Sequence, residues 1–537
     1  MMTDGSAEPV SGGAGEGCGV LREYVRPQRD QMFLLAVSMR DWLEPGHLAW
    51  FVLDVVAEID TRALHARPAG ALGRRPYEPE MMLALVLYGY CCGVRFSRRL
   101  EAACRTDAAF RVICGGLEPD HATIARFVAD HERALEGLFV EGLRLCDAAG
   151  LIDLCVVALD GTKIAADASL QSNRSGEWIR GEVAKLMAQT GQDAHAADQL
   201  GTDPVLSGTE IRSPPSSRLA RLQAALGVVD AEDQAAAEET ARRAAAAAAA
   251  ADRGVHLKGR KPKDPWAALA RADVDHQLAT ERLAGMQSDA AARRTARERG
   301  EPRQPGLPKL RIARATATLA RAEQRLAAAR AAVTGEPAPP AAVPRANVTD
   351  PDSRIMSTKD GWVQGYNCQA IANPNQIVLA CEVTQDANDV QQYEPMIALL
   401  GETLTRAGII DPAQLALADA GYWSEHNATC PGIDRLIATL KDHKQRRAAR
   451  ELGHTNGPPP PDATESDQME HLLRTPQGAA AYAQRSQLIE PVFGDRKHNR
   501  NTRRFRRRSL PAARSERAFI NLAGNLLKPH QHRASIA

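Results

Sequence analysis

Asp160, Asp419, Glu490 and Lys497 have the side-chain types and settings for phosphodiester chemistry. Glu490 and Lys497 stand seven residues apart in the stretch 482–497, YAQRSQLIEPVFGDRK. In a continuous helix that spacing puts them about two turns apart on one face. Alone, a Glu and a Lys so placed read as a solvated ion pair. Asp160 follows the apolar run 154–159 (LCVVAL) and precedes Gly161; Asp419 follows 414–418 (QLALA) and precedes Ala420, Gly421 and Tyr422. An acid at the C-terminal end of a buried strand sits where α/β folds place their sites. The plain alternative is a turn Asp closing each strand. Three converging carboxylates repel each other and resist ionisation unless cations stand among them. Oxygen-only ligands suit Mg²⁺ or Mn²⁺. Two such ions about 4 Å apart can activate a nucleophile and stabilise a leaving oxygen. In such a site Asp160 would bridge both ions, Asp419 and Glu490 would each complete one, and Lys497 would contact a DNA phosphate near the scissile bond.

The elements that must position these residues fall into blocks. Residues 33–150 read as all helical. Leu48 to Ile59 has helical apolar spacing, and the run from Pro79 to Tyr90 ends at Gly93, a C-cap residue. Ser97 opens SRRLEAACRTDAAF, which carries Arg98 and Arg99, and Asp120 can N-cap a helix carrying His121, Thr123 and Arg126. This order resembles a helix-turn-helix that would set those five residues on DNA; a plain helical bundle with a basic surface is the alternative. Residues 178–345 read as a helical insertion. There Ile312, Leu319, Leu326 and Val333 recur every seven residues, with Ala315, Ala322 and Ala329 on the second seam, a coiled-coil pattern over 309–334, roughly 40 Å long. GRKPKDP (259–265) and GEPAPPAAVP (335–344) read as linkers.

Strands return after 352. Residues 363–372 and 376–384 form a hairpin about Asn373-Pro374-Asn375. Asp389 reads as the cap of the next helix, and 435–440 as a fifth strand. The run 496–508 holds eight Arg or Lys and no acid, including Arg496, Arg500, Arg503 and Arg504, and suits phosphate contact with steep salt dependence.

Bulk properties bound these readings. A chain of 537 residues exceeds one ordinary domain. With 67 basic and 66 acidic residues the net charge is +1, so charge distribution, not the sum, decides DNA binding. Ten scattered cysteines with no C-x-x-C pair argue against a zinc site or a disulfide framework and for a reducing cytoplasm. No apolar run reaches membrane-span length, and the Gly-rich start reads as a disordered tail, not a signal peptide.

Asp160, Asp419 and Glu490, in that order, resemble the triad of DDE transposases of bacterial insertion sequences, which have a ribonuclease-H-like core. ALDGTKIAADAS, DPDSRIM, VQGYNCQA, VTQDANDV, LADAGYWSE, GIDRLIAT and IEPVFG-x-x-K together look like the group often called the IS-eleven-eighty-two type. The likeness runs from about 33 to 530. It implies recognition of terminal inverted repeats, Mg²⁺-dependent (or Mn²⁺-dependent) cleavage at the 3′ ends and attack of the freed 3′-OH on target DNA. It also implies DNA contacts by Tyr482 and Arg485, although here four residues, not three, separate Arg485 from Glu490. The expected fold is α/β: a ribonuclease-H-like mixed sheet split into 151–177 and 346–530, an all-α DNA-binding domain at 33–150, the coiled-coil-like insertion at 178–345, and tails at 1–32 and 531–537. Two ends cut in concert imply a homodimer on double-stranded DNA, in the cytoplasm and nucleoid-associated. A metal-dependent nuclease without strand transfer and a non-catalytic DNA-binding regulator are the rival readings.

Overall fold

A computed structural model describes residues 27–29, 38–65, 75–199, 218–252, 265–299, 309–334, 344–359, 361–440 and 453–536. Residues 259–264 and 335–343 of the expected linkers, and the expected tail at 1–32 apart from 27–29, lie outside them. The chain forms two compact units. One comprises Met1–Ser172, Ser207–Ser216 and Asp352–Ala537; the other comprises Asn173–Leu206 and Ser217–Pro351.

The first unit opens with α1 (Leu48–Glu58), α2 (Arg62–His65), α3 (Pro79–Cys91), α4 (Ser97–Thr106), α5 (Ala108–Ile113), α6 (His121–Asp130) and α7 (Glu132–Ala148). Helix α3 is apolar all round and accordingly buried all round. Pro79 starts it and Gly93, at φ +75°, lies just beyond its end. The segment that Ser97 opens forms two helices, α4 and α5, parted at Asp107, whose side chain caps α5.

Strand β1 (Val156–Ala165) leads into the second unit, which holds β2 (Asn173–Ser175), α8 (Gly176–Gln199), α9 (Arg218–Asp252), α10 (Pro265–Glu298), α11 (Lys309–Thr334) and β3 (Arg345–Asn347). The heptad reading sets the bounds of α11 correctly: Ala315, Ala322 and Leu326 of its seam are buried, and Ile312, Leu319, Ala329 and Val333 are half-buried. Ile179, Val183, Leu222, Ala225 and Val229 join α8 to α9 in a separate small core.

The first unit resumes with β4 (Arg354–Thr358), β5 (Gly361–Ala372), β6 (Val378–Thr384), α12 (Tyr393–Ala407), β7 (Leu415–Ala418), α13 (Glu425–Thr429) and β8 (Asp434–Ile437). It closes with α14 (Glu465–Arg474), α15 (Pro476–Ala483), α16 (Arg485–Gly494) and α17 (Leu510–Ile536). The expected tail at 531–537 is therefore mostly the end of α17. The mixed sheet runs β4–β5–β1–β7–β8, with β6 also on β5. Strand β5 pairs antiparallel with β4, β6 and β1, whereas β7 and β8 continue parallel to β1. Residues 364–372 of β5 are buried without interruption, because helices and neighbouring strands cover it on every side. The Asn525 amide of α17 closes the ladder where β6 departs from register, accepting from Val378 N at 2.9 Å and donating to Val378 O at 2.8 Å. One hydrophobic core joins α1 and α3 through α7 to β1, β5, β6, β7 and α17.

Candidate active site

Asp160 and Asp419 come together as a consequence of strand register. Leu159 of β1 pairs with Ala418 of β7, so the next residue on each parallel strand is an acid. Neighbouring strands lie about 4.8 Å apart, which holds the two carboxyl-bearing residues side by side. Asp419 does end its strand, where its side chain accepts from Gly421 N at 2.9 Å. Asp160 does not. Strand β1 continues five residues beyond it, because antiparallel pairing to β5 persists as far as Ala165 opposite Gly365.

Asp160 retains 21% side-chain exposure. Burial, then the nearby Asp419 charge, pushes its carboxyl up to about 7, and Asp389 adds to this. Arg485 and the Gly161 N–H oppose the rise. Arg485 Nη1 lies 3.5 Å from Asp160 Oδ2, and Gly161 N donates to Asp160 Oδ1 at 2.7 Å. Arg485, expected on DNA, is thus turned inward: it belongs to the buried face of α16 with Leu488, Ile489, Val492 and Phe493, and its guanidinium lies 6.0 Å from the ring of half-buried Tyr482.

Glu490 lies off that face and is exposed. The roughly 140° between positions five apart accounts for this. Pro491 does not break the helix; the Gln487 carbonyl that its missing N–H leaves free accepts from Gln376 Nε2 at 3.4 Å. A π-helical turn, Asp495–Asn499, follows and carries Lys497, whose ammonium donates to the Thr162 hydroxyl two residues beyond Asp160. Burial, then the Arg517 charge, lowers the Lys497 pKa from its usual value. Among the described residues, no three His, Cys, Asp or Glu side chains stand as a ready metal-binding group.

Sequence reasoning missed Asp389. It makes no cap hydrogen bond; its Oδ1 accepts from Lys163, Asn367 and Gln369. The motif VTQDANDV contained it, but an Asp before a helix reads locally as a cap.

The basic run divides in two. Arg496 is buried on the Asp495 carboxylate at 2.5 Å, and burial lowers its pKa to about 10. Arg500 pairs with Asp495 at 2.9 Å and with the Cys91 carbonyl. Those two serve the fold rather than an open surface, whereas Arg503 and Arg504 are exposed. Arg98, Arg99 and Arg126 are also exposed. His121 Nδ1 stands 2.7 Å from Glu101, and Thr123 binds the Asp120 cap through N–H and hydroxyl at 2.9 Å each.

A mixed sheet that sets acids side by side on adjacent strands, flanked by helices, is the arrangement of a ribonuclease-H-like core. Two family models match the chain: Transposase domain (DUF772) over residues 37–130 and Transposase DDE domain over residues 337–526. The chain belongs to the DDE transposases of insertion sequences. Asp160 falls between the two matched segments, and the β1–β7 register is what joins it to Asp419. No curated protein and no solved structure matches. The family acts on DNA and generally uses divalent metal ions. The donors here suit one: they are carboxylate oxygens only, and burial together with the neighbouring Asp419 charge raises the Asp160 pKa in a way a bound cation would offset. Among the described residues, no helix is long and apolar enough to cross a membrane.

Proposed function

We propose that this transposase binds the terminal inverted repeats of its own element, of the IS-eleven-eighty-two type, cleaves at the 3′ ends and joins each 3′-OH to target DNA as a homodimer. The in-register placement of Asp160 and Asp419 carries the reading. Asp160 and Asp419 would hold Mg²⁺ or Mn²⁺, two per site, with Glu490 joining them from α16. When bound, the ions supply a more acidic water or hydroxyl and charge stabilisation at the leaving oxygen. Magnesium is commonly held by one or two carboxylates plus water and phosphate, so the acid pair suffices to start the site before DNA arrives.

The chain's own groups do the rest. Arg485 keeps Asp160 oriented and offsets part of its charge. Lys497, held by Thr162, is set to grip a phosphate beside the acids. Exposed Arg98, Arg99, Arg126, Arg503 and Arg504 supply phosphate contacts away from the reacting atoms. Two element ends require two active sites, hence the dimer, and a DNA substrate of this kind fits a nucleoid-associated protein of the cytoplasm.

The test is incubation of the purified chain with Mg²⁺ and oligonucleotides bearing the ends that flank its gene. Cleavage at the 3′ ends and joined products are expected from wild type and neither from Asp160→Ala or Asp419→Ala. Equal cleavage by Asp160→Ala would refute the reading. Cleavage without joining would leave a nuclease.

A further inference from the structure

Beside the acid pair lies a polar network, half-buried at Asp389 and Lys163 and fully buried at Asn367, Gln369 and Tyr422. Asp389 Oδ1 accepts from Lys163 Nζ at 3.2 Å, Asn367 Nδ2 at 2.7 Å and Gln369 Nε2 at 2.8 Å. The Tyr422 hydroxyl donates to the other end of the Gln369 amide, at Oε1. Tyr422 closes the short turn that begins at Asp419, and Lys163 stands on β1 three residues beyond Asp160. A continuous path of contacts therefore runs from β1 through Asp389 and β5 to the turn that carries Asp419.

Two glycines let the backbone close onto this network. A Cβ on Gly161 would lie 2.6 Å from Gln369 Nε2 and 2.7 Å from Asp389 Oδ1. A Cβ on Gly421 would lie 3.0 Å from Asp419 Oδ1 and 3.6 Å from Asp389 Oδ2. Each glycine adjoins or closely follows an acid of the pair, so the close approach is built at both. Asn367 and Gln369 are fully buried, and donors in that setting need a fixed acceptor.

We propose that Asp389 is a positioning residue for the acid pair. It sets the Asp419 turn through Gln369 and Tyr422, and it sets β1 beside Asp160 through Lys163. The proposal rests on Asp160 and Asp419 forming the divalent-ion site. With Oδ1 already taking three donors, Asp389 serves as an acceptor that fixes others. An Asn side chain would keep that acceptor oxygen; an Ala side chain would leave Lys163, Asn367 and Gln369 to rearrange.

The test is Mn²⁺ binding to the DNA-free full-length chain, followed by the electron-spin resonance of free Mn²⁺, with thermal unfolding recorded in parallel. Loss of an outer partner of a metal ligand weakens binding by about 10–100-fold. Asp389→Ala is expected within that range, and Asp389→Asn to restore affinity to within about threefold of wild type. Tyr422→Phe, which removes only the hydroxyl, is expected to weaken Mn²⁺ binding several-fold with a cooperative melt, and it carries the test if Asp389→Ala does not fold. Unchanged affinity in Tyr422→Phe, or in a folded Asp389→Ala, would overturn the proposal. So would an Asp389→Asn as impaired as Asp389→Ala, since charge rather than the acceptor would then be the requirement. A wild-type chain that binds no Mn²⁺ would overturn the divalent-ion reading itself, and this inference with it.

Discussion

Asp160 couples the site to pH. Its carboxyl titrates near 7 in the folded chain against 3.8 for the ordinary group, so the folded state holds the proton more tightly. The stability this proton confers is present in full below 3.8 and is lost as pH rises to about 7. Asp160→Asn resembles the protonated wild type. Without divalent ions, its melting temperature is expected to match wild type near pH 4 and to exceed it by a few degrees at pH 8. Parallel melting curves across that range would show that burial and Asp419 do not act on Asp160 as described. Arg485 is the second residue whose surroundings decide its role. The family resemblance implies a DNA contact for it, yet the face it shares with Leu488 and Val492 carries it to Asp160.

At the scale of elements, the basic loop is held by an ion pair contributed from the turn after α3. Arg95 and Glu516 lie 2.7 Å apart with side chains 2% and 1% exposed. Arg95 also donates to the carbonyls of Asn501 and Arg504, while Glu516 accepts from Arg506 N and Arg507 N. Phe505 N donates to Ala165 O, which attaches the loop to the far end of β1. Removing one partner of a buried pair costs about 3–5 kcal/mol. Arg95→Ala is therefore expected to lower stability by that order in denaturant titration, and an effect below about 1 kcal/mol would contradict the clamp. For DNA binding, replacing Arg503 and Arg504 together with Ala is expected to reduce the salt slope by about two, one per phosphate contact. A slope unchanged from wild type would remove them from the interface.

These elements also show what a sequence can disclose. The bounds of α11, the β5–β6 hairpin and the strand before Asp419 follow from patterns within a few residues: a heptad, an Asn-Pro-Asn turn, an apolar run. The continuation of β1 past Asp160 depends on β5, some two hundred residues away in sequence. The inward fate of Arg496 and Arg500 depends on Asp495 and on the Cys91 carbonyl of α3, and the network around Asp389 on β1 and β5. In each case the local residues also fit the simpler reading, so composition and spacing could not choose.

Across the whole molecule, the two compact units have separate hydrophobic cores. Ser175 of β2 and Arg345 of β3 are register partners at one end of their antiparallel pair, so the chain leaves and returns at neighbouring points. Partners of that kind lie about 5 Å apart and can be joined by a two-residue turn. Replacing residues 176–344 with such a turn is expected to leave a cooperative melt within a few degrees of the full chain. Loss of that transition would show that the helical insertion contributes to the core around the sheet.

The central proposal is that Asp160 and Asp419 form the metal site of a DNA-cleaving transposase and that Glu490 joins them from the exposed side of its helix. Anomalous diffraction from crystals grown with Mn²⁺ and an oligonucleotide carrying the element's end measures this directly. Manganese peaks bounded by Asp160 and Asp419 are expected, with the Glu490 carboxylate turned into the same site. Peaks elsewhere, or a structure in which DNA is bound but no ion touches Asp160, would contradict it.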